Sequence, residues 1–171
     1  MDVDKLLNLD KIILGKRILI VDDEKDVLDS LVELLANCKI DTASSYEQAA
    51  EMIDKNIYDL AILDIMGVNG YGLLEKTTEH NLPAIMLTAH GLSEENLLKS
   101  VREGAVYYAP KEELSNIKDI VAEVIDAVEH KKSTWERMID RLAAFYDKKF
   151  NGPDWREKIK KYMEDHVDHS I

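Results

Sequence analysis

The stretch Ile18-Leu19-Ile20-Val21-Asp22-Asp23-Glu24 sets four apolar residues directly against three carboxylates. The pattern recurs along the chain. Leu60-Ala61-Ile62-Leu63 runs into Asp64, Ala84-Ile85-Met86-Leu87 into Thr88, and Ala105-Val106-Tyr107-Tyr108-Ala109 through Pro110 to Lys111. Continuous rather than alternating apolar runs mark strands buried on both faces, the condition of a parallel sheet covered by helices. Ligands of such open sheets bind outside the carboxyl ends of the strands. Three Asp, one Thr and one Lys are thereby brought to a single edge.

Strands are predicted near 17 to 22, 39 to 43, 58 to 64, 83 to 88 and 105 to 109, and helices near 25 to 37, 46 to 55, 72 to 80, 93 to 102 and 112 to 130. The third helix is expected to be short. Ser45 with Gln48 makes a capping-box pattern, and Ser93 precedes Glu94 and Glu95 in a first turn that suits the helix dipole. This alternation specifies an α/β chain, a doubly wound (βα)5 parallel sheet of the flavodoxin-like kind with C-terminal helices added. Right-handed crossovers give the strand order 2-1-3-4-5, which seats the first and third strands side by side and makes Asp22, Asp23 and Asp64 neighbours.

A lone carboxylate at a strand end reads as a helix N-cap. Four strand ends carrying these residue types in this order read as a site. Carboxylates a few ångströms apart repel, so they stay ionised together only around a cation, and an all-oxygen acidic cluster suits Mg²⁺. With the metal on Asp22, Asp23 and one oxygen of Asp64, the other Asp64 oxygen can attack phosphorus while Lys111 and Thr88 share the charge. The chemistry this suits is phosphoryl transfer to a carboxylate, leaving an aspartyl phosphate.

These residues resemble the receiver domain of response regulators in bacterial two-component systems. The likeness is carried by residues 18 to 24, by Leu63-Asp64-Ile65-Met66 with Gly72 beyond, by Met86-Leu87-Thr88-Ala89, and by Gly104-Ala105 leading to Tyr108 and Lys111; it covers about residues 16 to 130. It implies that Asp64 is the phosphoacceptor, that Asp22, Asp23, Asp64 and the backbone carbonyl of Met66 hold Mg²⁺, and that Thr88 and Lys111 contact the phosphoryl group. It further implies that Tyr108 is a switch residue and that Met66 and His90 modulate dephosphorylation. The chain departs from the pattern in two places. Val68 stands where a Pro is usual, and Pro110 precedes Lys111 instead of following it.

The implied function is that of a signalling phosphoacceptor without a DNA-binding output domain. A sensor histidine kinase or histidine phosphotransferase would load Asp64, and the signal would leave through protein contacts. The alternative is a phosphorelay intermediate that hands the group to another histidine. A phosphohydrolase of the haloacid dehalogenase type also forms an aspartyl phosphate, but it needs an Asp two residues after the nucleophile, where Met66 stands here.

Outside the resemblance the chain divides into a lead-in, 1 to 15, and an extension, 131 to 171. Leu6, Leu9 and Ile13 at helical spacing, stopped by Gly15, predict either a frayed terminus or a short helix packed on the extension or a partner chain. Apolar positions from Leu114 to Val128 resume as Trp135, Met138, Leu142 and Phe145. A bend or restart is expected at 131 to 134, with Ser133 and Glu136 as its capping box. Asn151-Gly152-Pro153-Asp154 stops that helix, and a last one is expected to carry Trp155, Ile159, Tyr162 and Met163 on one face. The surplus apolar surface suits a homodimer through the fifth helix and the extension, or folding back on the receiver.

Residues 1 to 130 hold 12 Lys and Arg against 26 Asp and Glu, a net of −14, whereas 131 to 171 hold 10 against 8, a net of +2. An acidic chain with no Arg-rich recognition helix argues against nucleic acid. No basic leader or apolar run long enough to span a membrane is present, which sets the expectation of a cytoplasmic protein. The single cysteine, Cys38, reads as a small buried apolar residue rather than a nucleophile or ligand. His166 and His169 lack a further ligand and are not read as a metal site.

Overall fold

A computed structural model describes residues 3 to 89 and 93 to 166. Five parallel strands, β1 (Arg17–Val21), β2 (Lys39–Ala43), β3 (Leu60–Leu63), β4 (Ala84–Thr88) and β5 (Tyr107–Pro110), stand in the order β2-β1-β3-β4-β5. The expected flavodoxin-like (βα)5 sheet is therefore present. Helices α2 (Lys25–Leu34), α3 (Tyr46–Lys55), α4 (Gly70–Glu79), α5 (Glu94–Arg102) and α6 (Ile117–Glu129) connect and flank the strands.

Register delivers the site. Val21 pairs with Leu63 and the Asp64 amide donates to the Val21 carbonyl at 2.9 Å, so Asp22 and Asp64 leave adjacent strands at the same level. Thr88 pairs with Pro110, placing Lys111 one residue beyond. Strands β3, β4 and β5 are buried throughout, as continuous apolar runs require. The edge strand β2, with its polar sequence Lys39-Ile40-Asp41-Thr42-Ala43, is only partly covered.

Local signals act largely as anticipated. The Ser45 hydroxyl accepts from the Gln48 amide, and the Gln48 side chain accepts from the Ser44 amide, one residue before the cap. Ser93 accepts from the Asn96 amide at 3.0 Å. Helix α4 is not short: it has 10 residues and begins at Gly70, because Asn69 adopts φ +52° and its side chain accepts from the Gly72 amide. Lys111–Asn116 forms a 3-10 turn before α6, and Lys131, at φ +55°, ends the helical path as the restart requires. The following helix, α7 (Trp135–Lys149), lacks the anticipated capping box. Thr134 is its N-cap, with a hydroxyl that donates to the Val106 carbonyl, while Ser133 accepts from the Trp135 amide.

Among the described residues the lead-in forms helix α1 (Val3–Ile13), whose main contact is with α6 rather than with the extension. Its Leu9 and Ile13 are buried, and it lies against α6, where Asp10 pairs with Lys118. The side chain of Leu6 lies outside the described ones. On α6, Val128 is exposed, while Ile117, Ile120, Val121, Val124 and Ile125 are buried.

Helices α7 and α8 (Asp154–His166) fold back on the sheet body, α7 on β5 and α8 on α5. Trp135, Met138, Leu142, Tyr146, Trp155 and Ile159 join the same hydrophobic core as the strands. Tyr162 and Met163 pack against it partly buried, so the expected face of α8 is the one in contact. No helix among the described residues is long and apolar enough to cross a membrane.

Candidate functional site

Asp22 and Asp23 follow β1, and Asp64 follows β3; each offers a carboxylate oxygen within 4.8 Å of the others. Asp22 and Asp64 are buried and Asp23 is exposed, so the cluster opens to solvent on one side. The Asp22 carboxylate also accepts from the Glu24 amide at 2.9 Å, which fixes one of its oxygens at the start of α2. Burial is the main force on Asp64, with the Asp22 charge adding to it, and together they push its pKa up to about 7 against the pull of Lys111.

Lys111 Nζ lies 2.9 Å from Asp22 Oδ2, 3.2 Å from Glu24 Oε1 and 3.7 Å from Asp64 Oδ1. Burial alone would lower its pKa, but the hydrogen bond to Asp22 and the Asp64 charge outweigh that and raise it. Pro110 before Lys111 does not keep the ammonium from the cluster. Glu24 is a partner that sequence reasoning left without a role, although it closes the same acidic triplet.

The loop after Asp64 is shaped around these carboxylates. Gly67 has φ +83°, and a Cβ there would fall 2.5 Å from an Asp23 oxygen; at Gly70 a Cβ would meet the Asp64 carbonyl oxygen at 2.1 Å. Neither glycine was singled out from sequence, although two glycines within six residues of a candidate nucleophile signal close backbone approach. Met66, between them and Asp64, is half exposed. Thr88 is buried at the end of β4. His90 and His169, and the side chain of His166, lie outside the described residues.

Tyr108 is fully buried. Its hydroxyl accepts from the Ser93 amide at 3.3 Å, and its carbonyl accepts from the Tyr146 hydroxyl at 2.7 Å. Tyr146 was absent from the sequence reading, because a partner 38 residues away leaves no periodic signature.

The acidic donors fit a hard divalent cation: all three are oxygen ligands within 4.8 Å of one another, and the charge of Asp22 adds to the burial that raises the pKa of Asp64. Asp22, Asp23 and Asp64 would hold Mg²⁺, which would supply positive charge against the developing phosphoryl oxygens.

Residues 18–124 match the family described as response regulator receiver domain. Two-component response regulator ARR18 of Arabidopsis thaliana is 38% identical over 118 residues, 63% of this chain and 18% of that protein. Transcriptional regulatory protein CpxR of Escherichia coli K12 is 36% identical over 115 residues, 63% of this chain and 47% of its own length. The chain thus spans less than half of either relative. The crystal structure of a CheY-like response regulator receiver domain protein from Methanospirillum hungatei JF-1 superposes with a TM-score of 0.63 at 29% identity, covering 68% of this chain and 98% of that one.

Proposed function

The chain belongs to the response regulator receiver domain family, and from that premise we propose that Asp64 is its phosphoacceptor, loaded by a sensor histidine kinase or a histidine phosphotransferase. The observation that carries this reading is the convergence of Asp22, Asp23 and Asp64 within 4.8 Å, with Lys111 3.7 Å from Asp64. Asp64 must be ionised to attack; burial opposes this, the Lys111 charge favours it, and a cation held by the acidic cluster would favour it further. An Asp64 oxygen forms the bond to phosphorus as the phosphorus–nitrogen bond of a phosphohistidine breaks, and the leaving imidazole nitrogen takes a proton. Lys111 turns from Glu24 toward the incoming phosphoryl oxygens, and the Thr88 hydroxyl completes their contacts. The Met66 carbonyl would help Asp22, Asp23 and Asp64 hold Mg²⁺, and the half-exposed Met66 side chain would restrict the approach of hydrolytic water.

In this reading residues 16 to 130 form the receiver, residues 131 to 171 are its own appendage, and the signal leaves through protein contacts. Most of the apolar positions that suggested a homodimer are buried or partly buried within the chain, with Val128 exposed, which favours folding back as their use. A relay role would be recognised by transfer from Asp64 to a histidine phosphotransferase domain. Intact-mass measurement with acetyl phosphate tests the assignment. One phosphoryl adduct is expected with Mg²⁺, none on Asp64→Asn, and a strongly reduced yield on Asp23→Asn. An equal adduct on Asp64→Asn, or one indifferent to Mg²⁺, overturns the reading.

A further inference from the structure

The two edges of the sheet are treated differently. β2 is an edge strand with partly exposed residues, whereas β5, the opposite edge, is buried along its whole length. Helix α7 lies on β5 and shares in covering it with α5 and the 3-10 turn. Its centre is Tyr146, fully buried, stacked on Phe150 at 5.1 Å, edge-on to Trp155 at 5.2 Å and 6.1 Å from the Tyr108 ring. Charge complements this packing: Arg141 pairs with Glu123 on α6, and Lys158 pairs with Glu94 on α5 at 2.8 Å.

Other features mark the contact as releasable. Tyr107 Oη and Glu123 Oε2 are buried without a hydrogen-bond partner among the described residues, and the Tyr107 hydroxyl lies near enough to Arg141 and Glu123 to feel both charges. Both groups would gain water if α7 lifted, so docking forfeits solvation that undocking restores.

The contact also reaches the site through two routes. Tyr146 holds the carbonyl of Tyr108, three residues before Lys111, at 2.7 Å, the optimum of an O–H···O bond, so displacement of β5 weakens it. The Tyr108 hydroxyl accepts from Ser93, the N-cap of α5, and the next residue, Glu94, is the one Lys158 holds from α8. Tyr108 therefore touches the attachment of both helices.

We propose that α7 and α8 form an intramolecular cap on β5 and its flanking helices, latched by Tyr146 on Tyr108, and that docking of the cap and occupancy of Asp64 oppose each other. This rests on Asp64 being the phosphoacceptor. A phosphoryl group there draws Lys111 away from Asp22 and Glu24, and the end of β5 moves with it. By linkage, whatever loosens the cap then favours the loaded site to the same degree.

Both tryptophans of the chain, Trp135 and Trp155, lie in the cap and are buried. Their emission and acrylamide quenching report docking in the full-length protein. Beryllofluoride with Mg²⁺ is expected to red-shift the emission and raise the quenching of the parent, with no effect on Asp64→Asn. Tyr146→Phe, which removes only the latching hydroxyl, is expected to be quenched more readily without any addition and to be phosphorylated by acetyl phosphate about fivefold faster, the lower end of common coupling strengths. Lys158→Glu, a surface change that leaves the buried cluster intact, is expected to act in the same direction and stands in if Tyr146→Phe fails to fold. A parent that gains the acetyl phosphate adduct while beryllofluoride leaves its tryptophan signal unchanged or blue-shifted overturns the cap, as do variants phosphorylated at the parental rate. A parent that gains no adduct overturns the assignment of Asp64 instead, and the cap proposal falls with it.

Discussion

A carboxyl group that is 5% exposed and shares its surroundings with two further carboxylates is held ionised at a cost. Burial, then Asp22, raise the Asp64 pKa to about 7, so the folded protein binds that proton more tightly than the unfolded chain does. Stability from this group is therefore full at low pH and is lost as pH rises from the ordinary carboxylate range through about 7. Asp64→Asn removes the dependence while leaving the other carboxylates in place. In metal-free protein the parent is expected to lose about 2 to 4 kcal/mol relative to Asp64→Asn between about pH 5 and pH 8, measured by urea unfolding, and Mg²⁺ should return much of it. A parent-to-variant difference that stays flat with pH would show that Asp64 is not strained. The same three residues were legible in the sequence because each ends a continuous apolar run. Lys111 was legible by its place after β5, despite the inverted Pro110. The role of Glu24 was not, since its contact with Lys111 spans 87 residues.

The segment between β3 and α4 shows what backbone geometry adds to residue identity. Gly67 at φ +83° lets the chain turn beneath the Asp23 carboxylate, and Asn69 at φ +52° then starts α4 earlier than apolar spacing alone suggested. An alanine at position 67 meets two penalties: the left-handed backbone costs a side chain roughly 1 to 2 kcal/mol, and its Cβ would stand 2.5 Å from Asp23 Oδ2. Because Asp23 is exposed, its carboxylate can swing aside, so the steric part should fall on metal binding rather than on folding. Gly67→Ala is expected to weaken Mg²⁺ affinity about tenfold, the scale of lost support for a metal ligand, as read by titration calorimetry. Affinity equal to the parent's would mean that the Asp23 carboxylate has room to hold its place. Elements set by local chemistry were read well: the caps of α3 and α5 act through Ser45 and Ser93. The restart before α7 was read in place, but its cap was misread because Thr134 spends its hydroxyl on Val106, a tertiary contact that displaces the local capping box.

Two appended helical pieces fasten on one receiver in different ways. Helix α1 is woven in: Ile13 is fully buried, the Gly15 amide donates to Asn37, Lys39 donates to the Lys16 carbonyl, and Asp10 accepts from Asn37 as well as pairing with Lys118. Its place was illegible in sequence because its partner face on α6 belongs to a helix more than 100 residues on. The C-terminal pair is joined through an aromatic cluster and a polar seam, with Tyr107 and Glu123 each keeping a buried polar atom unpaired among the described residues. Its mildly basic sequence faces an acidic body, so part of the attachment is electrostatic and screened by salt. These differences should appear in unfolding, because elements with fewer satisfied polar contacts open at lower free energy than the core they rest on. Tryptophan emission, confined to Trp135 and Trp155, follows the cap, whereas far-ultraviolet circular dichroism follows all the helices and strands. In urea the fluorescence midpoint is expected below the dichroism midpoint, with the gap widening at high salt as the Lys158–Glu94 and Arg141–Glu123 pairs weaken. Coincident midpoints at every salt concentration would mean that α7 and α8 are as integral to the core as β5 itself, and a cap that cannot leave before the receiver melts could not serve as a releasable one.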